Sequence, residues 1–314
     1  MAAKSAAKGK NLVAAAAKET RNGFPDMLIL HDPRCADYGS ALRPEQPARV
    51  LNAVPYLRQR HPAWVWRVPE TPVPDETLLL AHTAEHLRRL EEPRDFDSDT
   101  PYFPEIGAHA RRAVGAALEA ARHALTKGTP VFSLMRPPGH HATAGEAMGF
   151  CYLNQVAIAG LAARRQPGVE RVAVWDFDAH HGNGTAALLR PDPAFRYSSV
   201  HQHPGYPGTG AGHAGNSRNW QVAPGASRTE HLDALRHSWD AVLAFRPDLI
   251  LVSAGFDAYV RDPITELGLE VEDFSALGRW IHDSGQPAAA LLEGGYSDEL
   301  PQLLDAFLCG WAAE

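Results

Sequence analysis

Six short apolar runs recur along this chain and constrain its fold more tightly than any other feature. They are DMLILHD (26–32), PVFSLM (130–135), RVAVWDF (171–177), FRYSSVH (195–201), DLILVSAGF (248–256) and AAALLEGGY (288–296). Most are continuously apolar at their centres rather than alternating, which predicts strands buried on both faces. Longer segments of helical spacing separate them, at 46–60, 107–128, 151–165, 228–245, 271–284 and 298–311, and 74–92 carries one or two short helices. The helix over 46–60 is interrupted near Pro55, and the Ala-rich one over 107–128 ends on a glycine stop. Buried strands separated by helices predict an α/β fold with a parallel sheet covered by helices. No internal repeat is visible. The stretch 202–226, rich in Gly, Pro and His, reads as a loop longer than a connector needs.

Open parallel sheets bind ligands beyond the carboxyl ends of their strands. Four of the predicted strands end in chemistry: RPPGHHA (136–142), DFDAHHGNG (176–184), AGFDA (254–258) and EGGY (293–296). One such end is no more than a turn with a hydrogen-bonded core residue; four together make a constellation. In an extended chain, positions i, i+2 and i+4 share a side, which aligns Asp176, Asp178 and His180 opposite Phe177 and Ala179. Carboxylates at a buried strand end are costly unless paired or metal-bound. Asp178 and His180, with Asp257 from another strand end, supply three ligands and leave a position open, the pattern of a catalytic zinc site. Two carboxylates and one imidazole are a hard donor set, so Fe(II), Mn(II) and Co(II) stand beside zinc as candidates.

Composition removes several alternatives. The formal net charge of −7 carries no nucleic-acid footprint. Cys35, Cys151 and Cys309 are odd in number and widely spaced, which fits a reducing cytoplasm better than a disulfide framework. No apolar run approaches the roughly 20 residues that cross a bilayer. Residues 1–23 are rich in Ala and Lys and read as a flexible basic tail, with a basic docking arm as the alternative. Residues 24–314 then form a single catalytic domain.

The segments RPPGHHA, GFCYLNQVAIA, WDFDAHHGNGT, SVHQHPGYPGTG, SAGFDA…DP and EGGY resemble the zinc-dependent histone deacetylase family, in the class II-like bacterial branch that includes acetylpolyamine amidohydrolases. The resemblance extends over most of 26–311. It implies a single-domain arginase-like fold around an eight-stranded parallel sheet, and hydrolysis of an N-acyl amide, typically acyl-lysine. It places the metal on Asp178, His180 and Asp257, with His141 as general base and acid and His140 as its electrostatic partner. Asp176 matches the carboxylate that orients the first histidine, and Asn183 stands where class I members place a second one. Tyr296 matches the donor to the tetrahedral oxyanion. Phe150 and Tyr206, with Gly149, match the walls of a narrow acyl-lysine tunnel; Arg49 matches an inner-cavity arginine, and Asp99 resembles a carboxylate at the rim. The family also implies a structural potassium held by Asp176, Asp178, His180 and Ser199.

The substrate stays open between an acylated lysine in a protein or peptide and an acetylated polyamine. Ile264 occupies a position where one polyamine-selective branch carries a gatekeeper Glu, which favours acyl-lysine. Two other classes stand as alternatives. A ureohydrolase shares the fold but needs a second carboxylate cluster, whereas Tyr259 and Val260 follow SAGFDA here. A non-catalytic acyl-lysine reader would have no use for intact ligands and Tyr296. The segments 93–106 and 202–226 are candidates to cap the pocket or to form a homo-oligomer contact.

Overall fold

The structure is a computed structural model that describes residues 27–70 and 73–313. Residues 1–23, expected to form the tail, lie outside the described residues. Eight strands form one sheet: β1 (Leu28–Leu30), β2 (Val65–Arg67), β3 (Val131–Ser133), β4 (Val172–Asp176), β5 (Phe195–Gln202), β6 (Ser217–Val222), β7 (Leu249–Ala254) and β8 (Ala288–Leu292). Their order is β2-β1-β3-β8-β7-β4-β5-β6, and every pairing is parallel. All the strands therefore present their carboxyl ends at the same edge of the sheet. The four strands that end in chemistry, β3, β8, β7 and β4, are consecutive neighbours at its centre.

The helices among the described residues are α1 (Ala48–Arg60), α2 (Asp75–Leu78), α3 (Ala84–Arg89), α4 (Ile106–Lys127), α5 (Gln155–Ala163), α6 (Asn183–Leu189), α7 (Arg228–Ala244), α8 (Val271–Ser284) and α9 (Leu300–Ala312). None is long and apolar enough to cross a membrane. The predicted stop of α4 is observed: Gly128 adopts φ +63° and its N–H returns to the Ala124 carbonyl. Helix α5 begins at Gln155 rather than at 151 because the Asn154 side chain caps it, accepting the Ala157 N–H at 3.0 Å.

Two strands and two helices depart from expectation: α1 runs unbroken from Ala48 to Arg60 through Pro55, where an interruption was expected. β2 and β6 lie on the two edges of the sheet. An edge strand is not buried on all sides, so neither carries a continuous apolar run; β2 alternates exposed and half-buried, and β6 is the polar stretch SRNWQV inside 202–226. That stretch is thus a strand flanked by loops rather than one long loop. Helix α6 begins within the Gly-Asn-Gly segment, where local propensity argues for a turn.

Beneath the functional edge lies an aromatic cluster. The fully buried Phe307 packs against Phe132, Phe177, Phe256 and Trp311, with ring centroids 6.3, 5.5, 5.8 and 6.0 Å away. Phe177 precedes Asp178 and Phe256 precedes Asp257, so these rings anchor the backbone from which both carboxylates project. Phe307→Ala is expected to cost about 3–5 kcal/mol, the usual toll of emptying a buried aromatic site. A urea titration reads this as a lower midpoint with an unchanged slope.

Candidate active site

The ligand trio assembles where β4 and β7 end side by side. Asp178 and Asp257 are fully buried, and His180 is partly exposed. His180 Nδ1 lies 3.1 Å from Asp178 Oδ1 and 2.9 Å from Asp257 Oδ2. One ligand atom from each of the three falls within 4.8 Å of the others. Backbone donors orient the carboxylates: Gly294 N–H donates to Asp178 Oδ2 at 2.7 Å, and Ala179 N–H to Asp257 Oδ1 at 2.8 Å. Two glycines make room for this. A Cβ at Gly294 would sit 2.2 Å from Asp257 Oδ2, and one at Gly255 would sit 2.1 Å from Asp178 Oδ2.

The electrostatics fit a divalent cation. Burial and the adjacent Asp178 push the Asp257 carboxyl up. Burial opposes charge on His180 as well, but Asp257 and Asp178 overcome it and raise the imidazole well above its usual range. Two buried carboxylates thus draw positive charge into a pocket of hard donors, the demand that a bound metal meets.

The tandem histidines, carried by the loop after β3, differ in their surroundings. His140 Nδ1 meets Asp176 Oδ2 at 3.1 Å, as the resemblance implies. Burial disfavours its charge, yet Asp178, Asp176 and Glu293 together raise it to about 10. His141 Nδ1 meets Asn183 Oδ1 at 2.8 Å. Burial, reinforced by the neighbouring His140 and His180, holds His141 well below the usual imidazole range. The ring centroids are 4.0 Å apart, so the two imidazoles are pushed in opposite directions at close range.

Two aromatic contacts border this centre. Tyr296 meets Phe150 edge-on at 5.7 Å, and Tyr206 meets His141 edge-on at 5.1 Å. Gly149 has φ +55°, and a Cβ on it would lie 2.6 Å from His141 Cδ2 and 2.9 Å from Tyr206 Cε1. The Phe150 N–H donates to Thr100 Oγ1 at 3.1 Å, which fastens the 97–100 loop to the wall. Asp99 belongs to that loop and is exposed. Burial raises the Tyr206 phenol, followed by Cys151 and then the carboxylates of Asp97 and Asp99. Ile264 is 37% exposed. Arg49 is buried; its Nε donates to the Gly295 carbonyl at 2.8 Å, its Nη2 to that of Glu293, and its guanidinium lies 5.0 Å over the Tyr296 ring. Ser199 is the register partner of Asp176, and its hydroxyl meets His201 Nδ1 at 2.9 Å.

Three buried groups escaped the sequence reading. Tyr197 donates its hydroxyl to Asp176 Oδ2 at 2.9 Å. Glu293 Oε2 accepts the N–H groups of Gly139 and His140, at 2.7 and 3.2 Å. Asp262 accepts the Tyr296 N–H at 2.7 Å. The only available signal was an acidic or phenolic residue inside or just after an apolar run. A separate cavity of about 780 Å³ opens between α4 and α5, bordered by Leu118, Glu119 and Ala163, and none of these strand-end groups lines it.

The family profile described as histone deacetylase domain matches residues 43–309, most of the chain. The chain belongs to the histone deacetylase family. It is 44% identical over 239 residues to a probable deacetylase of Methanothermobacter thermautotrophicus, covering 71% of this chain and 72% of the relative. It is 36% identical over 249 residues to the histone deacetylase-like amidohydrolase of Pseudomonas aeruginosa, covering 72% and 65% respectively. The crystal structure of an acetylpolyamine aminohydrolase from Burkholderia pseudomallei superposes with a TM-score of 0.83 at 25% identity, over 92% of this chain and 99% of that one. Membership accounts for the eight-stranded sheet and makes this a chain of the deacetylase and amidohydrolase class.

Proposed function

We propose that this member of the family hydrolyses the side-chain amide of N-ε-acyl-lysine in a peptide or protein, with zinc held by Asp178, His180 and Asp257. The observation that carries the reading is the gathering of Asp178, His180 and Asp257 within ligating reach of one another, with the His141 ring 6.1 Å from that of His180 and edge-on to Tyr206. The bound ion supplies Lewis acidity toward the acyl carbonyl and the attacking water.

The rest is done by side chains. With Nδ1 engaged by Asn183, His141 has Nε2 free to take the water proton and return it to the departing amine. His140, charged and anchored on Asp176, adds positive potential beside the developing anion. Tyr296 donates its hydroxyl to the oxyanion. Phe150 and Tyr206 give the aliphatic lysine stem apolar contact without demanding a polar partner. A structural potassium on Asp176, Asp178, His180 and Ser199 belongs to the same reading; it would order the β4–β5 end behind the ligands.

A second reading, acetylpolyamine hydrolysis, draws on the fold shared with the Burkholderia enzyme and on the carboxylates of Asp97 and Asp99, whose charge reaches the Tyr206 phenol. The apolar Ile264 weighs the other way. Turnover compared on an acetyl-lysine peptide, its longer-acyl homologues and N-acetylputrescine separates them. The expected result is at least a tenfold higher kcat/KM for the peptide, about 1.4 kcal/mol of discrimination. Preference for the diamine would reverse the assignment.

A further inference from the structure

Tyr296 lies beyond the end of β8 at Leu292, where the sheet no longer holds the chain. The last bonds between the two strand ends are Glu293 N–H to the Ala254 carbonyl at 2.9 Å and Phe256 N–H to the Gly294 carbonyl at 3.1 Å. Gly295 then turns with φ +112°, and a Cβ there would lie 2.8 Å from Phe256 Cβ. A glycine in this conformation leaves the following peptide plane free to swing. Something other than the ladder must fix that plane, because it directs the Tyr296 side chain.

Two buried side chains do so. On one side, Arg49 Nε donates to the Gly295 carbonyl at 2.8 Å; on the other, the N–H of the same peptide, that of Tyr296, donates to Asp262 Oδ2 at 2.7 Å. Both side chains are nearly inaccessible, so solvent cannot readily replace either bond. The second oxygen of Asp262 is also engaged: Oδ1 accepts the Ile264 N–H at 3.1 Å. Pro263 stands between them and lacks an N–H, a composition suited to a side-chain-capped turn.

We propose that Asp262 is a positioning residue whose one carboxylate sets both the oxyanion-donating tyrosine and the backbone at Ile264. It rests on the functional reading above and extends it. The loop that delivers the ligand Asp257 also holds the Gly295–Tyr296 peptide, so metal site and oxyanion donor share one support. Asp262 acts through Tyr296 rather than on the substrate.

A double-mutant cycle on the zinc-loaded protein tests this, with an acetyl-lysine peptide as substrate. Asp262→Asn leaves an amide group facing a backbone donor, so one of the two bonds is lost. It is expected to lower kcat about tenfold, a loss of the size that a small misplacement of a catalytic group produces. KM should change less than kcat, and metal content should stay at the wild-type value. In the Tyr296→Phe background the same substitution should change kcat less than twofold, because the group it positions is already gone. Equal losses in both backgrounds, an unchanged kcat, or a fall in bound zinc would overturn the assignment. Asp262→Ser, judged by the same criteria, replaces the asparagine variant if that one lacks a cooperative thermal transition. If Tyr296→Phe alone leaves kcat intact, the hydrolytic role of Tyr296 fails first and the positioning role falls with it.

Discussion

Replacing Tyr296 with phenylalanine is expected to lower turnover on an acetyl-lysine peptide at least about a hundredfold while leaving zinc content and KM near wild type. Removing one oxyanion donor typically costs about 2.7–4 kcal/mol of transition-state stabilisation. The substitution is clean because the ring's other contacts survive: Phe150 still meets its face or edge, and Arg49 still lies over it. Burial pushes the phenol well above its usual range, opposed by Arg49 and aided by Asp257 and Asp178, so it remains a neutral donor across the working pH range. Steady-state kinetics with metal analysis of the same preparation make the measurement. An unchanged kcat would remove Tyr296 from the chemistry.

The second large effect concerns the ligand trio and separates function from stability. Asp257→Asn keeps an oxygen for the Ala179 N–H but removes one of the two buried negative charges. Activity should fall at least about a thousandfold, because a metal site stripped of a charged ligand loses affinity for the ion and with it the Lewis acid. The metal-free variant should nevertheless melt at or above the temperature of the metal-free wild type, since it no longer buries two carboxylates around a single imidazole. Zinc should raise the wild-type melting temperature, as any ligand selective for the folded state does, and should barely move that of the variant. Calorimetry with and without a chelator reads both. A zinc-induced rise of equal size in the two proteins would show that Asp257 is not a ligand.

How much of this was legible in the chain depended on where each interaction closes. Asp178 and His180 stood out because they are two residues apart at the end of a continuously apolar strand, so pleat geometry alone put them together. Asp257 and the tandem histidines followed from the rule that parallel strands present their carboxyl ends together. Tyr296 was flagged by its strand end, but its role, like Asn183 and the tunnel aromatics, became readable only through the family resemblance, since nothing local distinguishes a reacting tyrosine from a packed one. The edge strands β2 and β6 lacked the apolar signature because they are not enclosed. Glu293, Tyr197 and Asp262 were silent for another reason. Each closes a hydrogen bond to a partner remote in sequence, and no periodicity encodes such a partner. The requirement for glycine at 294 likewise appears only once both carboxylates are in place.

The strand order has a consequence for how the protein is made. β8 is inserted between β3 and β7, and the segment bearing Tyr296 directly follows it. During synthesis the middle of the sheet stays split until residues 288–292 have left the ribosome, and pairing across so long a span is a late, slow event. A nascent chain can therefore bring β4 and β7 together without yet owning Tyr296. On the proposed reading the oxyanion donor arrives last, and a product shortened before β8 would be an unfinished fold rather than a weakened catalyst.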